Sequence, residues 1–195
     1  MNDVLIIRHA ETDMAGTFCG QSDPPVNTAG HRQIQNLIAS LHTERFQTIF
    51  TSDLQRSATT ARALADSLTI PTIIRPALRE IDFGQWEGLT WQQIEERDPT
   101  FAAQWLESFP RLTPPDGESV ECFEARVTAE INDLLLQSEA QPIAIVTHAG
   151  VMRVILRTLC GIDDNSAWAL TKSHCCTFRC VPQTHPNLRL QEVLV

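Results

Sequence analysis

The chain has 195 residues, 43% hydrophobic and 20% charged, a balance that excludes a disordered chain and suits one folded domain of ordinary size. Its formal net charge of −9 argues against general nucleic-acid affinity, because holding a phosphate backbone needs a cationic surface. Any anion site is then a local arginine-rich pocket set in a repulsive background.

Read in chain order, the first strand is Val4–Arg8, four apolar residues running straight into Arg8 and His9. "TAGHRQIQNLIASL" follows as a helix with Ile34, Leu37, Ile38 and Leu41 on one face. A strand at Thr48–Thr51 leads into "SDLQRSATTARALADSL", a helix expected to open on a Ser52/Asp53 cap and to run to about Leu68. Thr72–Arg75 is the third strand. From Asp82 to Gly117 the rhythm breaks into a loop-and-helix excursion that carries Trp86, Trp91 and Trp105. Excursions of that size usually cover a site. A long helix in "ESVECFEARVTAEINDLLLQ", a strand at Pro142–Thr147 and a helix in "AGVMRVILRTLCG" come next, the last with Gly161 just past its end. Strands at Cys175–Val181 and Leu188–Val193 close the chain. Strand alternating with helix predicts an α/β layered fold with a largely parallel sheet.

The amino terminus does not read as a secretory leader, since its apolar run is short and Arg8 interrupts it. No segment approaches the roughly 20 apolar residues of a membrane span. The six cysteines include no C-x-x-C pair. Cys175, Cys176 and Cys180 lie near His174, yet "CCTFRC" reads as a strand in which cysteine serves as a small apolar residue, not as a metal site. A reducing, cytoplasmic compartment is the expectation.

The polar residues show a pattern of their own. Arg8 and His9 end the first strand, Arg56 lies one turn into the helix after the second, Glu80 follows the third, and His148 ends the fourth. In open α/β sheets, ligands bind at the carboxyl edge of the strands. Taken singly, each residue has an ordinary reading: a structural histidine, an exposed helix arginine, a surface carboxylate. Five such groups at four separate junctions predict convergence on one anion.

"LIIRHAET", "SDLQRSATTA", "EIDFGQWEGLTW" and "VTHAG", in that order and spacing, resemble the histidine phosphatase superfamily, the phosphoglycerate-mutase-like fold. "GQSDPPVNTAG", "REIDFGQWEG" and "PPDGES" are most similar to its bacterial α-ribazole phosphatases of late cobalamin synthesis. The resemblance implies a three-layer sandwich and a phosphomonoester hydrolase acting on a phosphorylated small molecule. It implies His9 as the nucleophile that becomes a phosphohistidine, with Arg8, Arg56 and His148 as the rest of the phosphate pocket. Glu80 is implied as proton donor to the leaving alcohol. Gln21, Trp86 and Glu118 are candidates to line the substrate. Glu118 either touches substrate or opens the long helix near its positive end. Broad-specificity and sugar-phosphate phosphatases share much of the pattern, and a non-catalytic phospho-ligand module is the reading from another class. Two residues depart from the family: Ala10 replaces the usual glycine after the histidine, and Ala15 stands where an asparagine is common.

The chemistry fits these residue types. A neutral imidazole is a good nucleophile near pH 7, and covalent capture divides one hard displacement into two easier ones. Arginines fork onto phosphoryl oxygens and stay charged at any working pH. Such an arrangement takes the place of a metal, so no cofactor is expected.

Overall fold

Residues 4–7 of the first strand, β1 (Val4–Arg8), are buried on both faces of the sheet. Val4 and Ile6 enter one apolar cluster, Leu5 and Ile7 another. A strand with two buried faces needs helices on both sides. The computed structural model, which describes residues 2–108, 112–183 and 187–194, supplies them.

After β1 come α1 (Thr28–Leu41), β2 (Thr48–Thr51), α2 (Gln55–Leu68) and β3 (Thr72–Ile74). The excursion then holds α3 (Trp91–Arg97) and α4 (Pro99–Ser108). The remainder is α5 (Val120–Ser138), β4 (Ile143–Thr147), α6 (Ala149–Thr158), α7 (Asp164–Leu170), β5 (Thr177–Pro182) and β6 (Leu188–Val193). The six strands form one sheet in the order β3-β2-β4-β1-β5-β6. Its first four members run parallel, while β5 pairs antiparallel with β1 and β6 antiparallel with β5. Helices α1 and α2 cover Leu5, Ile7, Ile49 and Val146. On the other face α5 and α6 cover Val4, Ile6, Phe50 and Ile145. This is the expected three-layer α/β sandwich with a largely parallel sheet.

Several local expectations shift. The Ser52/Asp53 cap does not form: α2 begins at Gln55, with Leu54 extended in the cap position and no side-chain cap bond. Tertiary partners claim both residues, Ser52 pairing with His148 and Asp53 with Arg79. Strand β5 starts at Thr177 instead of Cys175, because Cys175 has a φ of 57°, which no strand residue adopts. Cys175, Cys176 and Cys180 are all buried in the core, as apolar residues would be. Burial pushes the thiols of Cys175 and Cys176 up to about 12 and about 11. Helix α7 has seven residues, too few to show a period, and opens on Asp163, which accepts the Ser166 N–H at 3.0 Å.

The excursion builds a small apolar centre of its own. Trp86, Ile94, Ala102 and Trp105 are buried together, with Phe18, Trp91 and Phe101 packed against them. Residues 109–111 of the excursion lie outside the described residues.

Candidate active site

Register sets the site. Arg8 pairs with Thr147 and Thr51 with Val146, so the carboxyl ends of β1, β2 and β4 lie level. The chain leaving β1 stays tied to β4 for one more residue, the His9 N–H donating to the Thr147 carbonyl at 2.8 Å. His9 and His148 therefore stand side by side, ring centroids 5.0 Å apart.

His9 Nδ1 lies 2.7 Å from the Ala10 carbonyl. A carbonyl can only accept, so Nδ1 carries the proton and Nε2 keeps its lone pair. Ala10 adopts no positive φ, so the missing glycine costs nothing there. Ala15 is exposed in a turn. Burial holds His9 well below the usual histidine range, with the Arg56 and Arg8 charges acting in the same direction. Its ring is neutral at pH 7.

Arg56 is fully buried, and Nε donates to His9 Nε2 at 3.3 Å. Its other nitrogens donate to the carbonyls of Ser22 (2.7 Å), Gly20 (2.7 Å) and Cys19 (3.2 Å). Arg8 Nη1 is held by the carbonyls of Thr171 (2.9 Å) and Lys172 (2.5 Å). Neither arginine is neutralised by an ion pair among the described residues. Among the described residues, Arg8 Nε is buried without a partner, and so is His148 Nδ1. Orphaned buried polar atoms are rare, and here two occur within one pocket. The Ser52 hydroxyl sits 2.8 Å from His148 Nε2. When it donates there, the proton of neutral His148 resides on Nδ1, which makes the orphan a hydrogen-bond donor. Burial, reinforced by Arg56, keeps that ring neutral too.

Glu80 is buried at the same edge. Its Oε2 accepts the Gly150 N–H at 2.8 Å and its Oε1 the Ile81 N–H at 3.0 Å. A Cβ at position 150 would approach Oε1 to 2.1 Å, so only glycine admits the carboxylate beside α6. Gln21 and Glu118 both support this segment. Gln21 Nε2 donates to the Glu80 carbonyl at 2.8 Å. Glu118 grips Arg126 with both oxygens at 2.7 Å, and Arg126 donates to the carbonyls of Ala77, Arg79 and Glu80. Trp86 is not brought to the pocket; its ring meets Trp105 edge-on at 4.7 Å inside the excursion.

Sequence reasoning missed several members. His174 Nε2 lies 3.3 Å from Arg8 Nη2, and its ring is 5.6 Å from that of His9. Its pKa falls to about 4, chiefly through burial and then through Arg8. Glu87 accepts four main-chain N–H groups, those of Gly20, Gln21, Ser22 and Phe83, and so shapes the loop that holds Arg56. Arg153, on α6, donates to the hydroxyl of Thr171, the residue whose carbonyl holds Arg8. The residue types alone gave no signal, because each acts through a fold contact distant in sequence. Among the described residues, no three histidine, cysteine or acidic side chains are grouped to hold a metal ion.

An unprotonated imidazole nitrogen beside guanidinium groups that lack carboxylate partners, with orphaned donors nearby, suits a small anion with several oxygens, a phosphoryl group above all. The fold and this site define a phosphatase of the α/β class. The chain belongs to the histidine phosphatase superfamily (branch 1), whose family model matches residues 4–191. It is 30% identical over 165 residues to the adenosylcobalamin/α-ribazole phosphatase of Escherichia coli, covering 84% of this chain and 81% of that one. It is 27% identical over 171 residues to phosphoserine phosphatase 1 of Hydrogenobacter thermophilus, covering 87% and 81%. The crystal structure of the α-ribazole phosphatase from Shigella flexneri superposes with a TM-score of 0.87 at 27% identity, covering 99% and 96%.

Proposed function

We propose that the protein hydrolyses a phosphate monoester through a phosphohistidine on His9, without a metal, and that its substrate is α-ribazole 5′-phosphate. His9 Nε2 attacks phosphorus as the bond to the leaving oxygen breaks, and Glu80 gives that oxygen a proton. Water then attacks the phosphohistidine, Glu80 taking a proton from it, and phosphate and free His9 result. Arg8, Arg56 and the Nδ1–H of His148 hold the three equatorial oxygens while charge redistributes. Gln21 and Glu118 keep the Glu80 segment in place. We read residues 1–195 as one catalytic unit of the cytoplasm, where its six free thiols stay reduced, with the 82–117 excursion as a wall of the substrate site.

The observation that supports the mechanism best is the His9–Ala10 contact: with the proton held on Nδ1, Nε2 stays unprotonated and faces Arg56. The substrate reading rests on the relatives and on the short motifs shared with α-ribazole phosphatases. A second reading, phosphoserine or another small monoester, is favoured by the similarity to phosphoserine phosphatase 1.

The test is turnover of p-nitrophenyl phosphate in EDTA by wild type and His9→Ala. Wild type should turn over, and the variant should lose roughly 10⁴-fold or more in kcat while its circular dichroism is retained. Near wild-type activity in the variant would end the phosphohistidine route. A panel of monoesters ranked by kcat/KM then separates the two substrate readings.

A further inference from the structure

Arg153 lies on α6 and has no part in the chemistry described above. Its Nε donates to the Thr171 hydroxyl at 2.9 Å, and the Thr171 carbonyl is one of those that hold Arg8. The guanidinium is layered on the Trp168 indole, its carbon 3.7 Å from the ring centroid. Burial lowers Arg153 to about 10, and the charges of Glu80 and Arg8 both act on it. It is therefore cationic at neutral pH. Among the described residues only Nε has a hydrogen-bond acceptor, and Arg153 enters no ion pair.

The four tryptophans divide clearly. Trp86 and Trp105 are buried in the excursion at 5% and 6% exposure, and Trp91 packs on Phe18 and Trp86. Trp168 alone among them is largely exposed, at 48%. The stacked pair presents the flat indole face together with the terminal N–H groups of Arg153, which reaches the Thr171 hydroxyl beside the cradle of Arg8. Each has a use: an aromatic side chain stacks on a flat heterocycle, and arginine donors read hydroxyl or carboxylate oxygens.

We propose that Arg153 and Trp168 are the specificity platform for the leaving alcohol, Trp168 taking its flat ring and the terminal nitrogens of Arg153 its oxygen atoms. The inference rests on the reading of the substrate as a ribosyl heterocycle, and it moves recognition from the 82–117 excursion to the α6–α7 side of the pocket.

Trp168→Leu and Arg153→Met, with Trp168→Phe and Arg153→Lys as conservative partners, are compared by kcat and KM on α-ribazole 5′-phosphate. Inhibition by inorganic phosphate reports the phosphoryl pocket alone. In folded variants, KM for α-ribazole 5′-phosphate should rise about tenfold, the worth of one stacked ring, while phosphate inhibition shifts far less and Trp168→Phe recovers most of the loss. An unchanged KM overturns the platform. So does an equal shift in phosphate inhibition, which would place both residues in the phosphoryl pocket. Failure of wild type on α-ribazole 5′-phosphate would sink the substrate reading separately. The platform is then judged on adenosine 5′-monophosphate against glycerol 3-phosphate. Wild type should prefer the ring-bearing ester and the variants should lose that preference; absence of the preference, or its survival in the variants, overturns the proposal.

Discussion

Two ends of the same sheet treat arginine in opposite ways. At the amino end of β1, Arg179 on β5 is ringed by carboxylates: Glu44 at 2.7 Å, Glu192 at 3.5 Å and Asp3 at 3.7 Å. Its hydrogen bond to Glu44 raises its pKa. At the carboxyl end, Arg8 and Arg56 are held by main-chain carbonyls and imidazoles instead. Burial lowers Arg8. A carbonyl satisfies an N–H without cancelling the charge, whereas a carboxylate does both. The first arrangement leaves positive potential for a ligand; the second spends it on the fold. In a chain of net charge −9, withholding acidic partners from two arginines is what creates an anion site.

Substituting lysine at both ends breaks or confirms that contrast, and the largest effect should fall on Arg56. Lysine keeps the charge but cannot span His9 and three carbonyls at once. Arg56→Lys should lower kcat/KM for p-nitrophenyl phosphate by roughly 10²–10³-fold, the usual cost of losing one transition-state donor. Arg179→Lys should change it less than about twofold, since partly exposed ion pairs contribute little beyond local stability. Comparable kinetic damage from both would show that the difference in partners has no catalytic meaning.

The contrast sharpens at Glu87, a carboxylate that serves the site without touching either arginine. It holds four N–H groups of the loop whose carbonyls seat Arg56. That loop is also tight: a Cβ on Gly20 would lie 2.0 Å from the Ile81 carbonyl. Glutamine keeps the shape but offers one accepting oxygen in place of two and no charge. Glu87→Gln should therefore destabilise the fold by about 2 kcal/mol, the scale for bonds to a charged acceptor, seen as a lower urea midpoint. It should lower kcat/KM about tenfold by loosening Arg56, a smaller loss than Arg56→Lys. Unchanged kinetics would mean that Arg56 is seated without this loop.

What the sequence disclosed, and what it hid, follows the same division. Strand ends announce themselves through apolar runs that stop at a polar residue, so Arg8, His9 and His148 were legible, and a helix one junction later exposed Arg56. Ser52 was misread as a helix cap because its residue type and place suit a cap, while its partner His148 lies 96 residues away. Glu87 carries no signal of its own in the sequence, because three of its N–H partners, Gly20, Gln21 and Ser22, are distant along the chain. Trp86 suggested a ligand wall, yet an excursion with no sheet beneath it needs its own core, and tryptophans supply the largest buried area. Trp168 sits on a helix too short for periodicity to reveal.

An effect absent at neutral pH concerns the three imidazoles beside the arginines. His9 and His148 are held well below the usual histidine value, and His174 falls to about 4. In the unfolded chain each would titrate near 6.5. Above that value both states are neutral and the histidines cost nothing. As pH falls below about 6.5, the unfolded chain takes up protons that the folded one refuses, and stability drops. For each fully buried imidazole the slope is at most about 1.4 kcal/mol per pH unit. The contribution of His174 should level off near pH 4, where the folded ring also protonates. Urea unfolding should give a free energy that is flat from pH 8 to 7 and declines from 6.5 downward, with a shallower decline in His174→Gln. Arg179→Lys should leave the slope unaltered, because its carboxylate partners lie at the other end of the sheet. A stability that rose on acidification through this window would mean that the rings accept protons in the folded state, and the uncompensated charge of Arg8 and Arg56 would then have no measurable consequence for their neighbours.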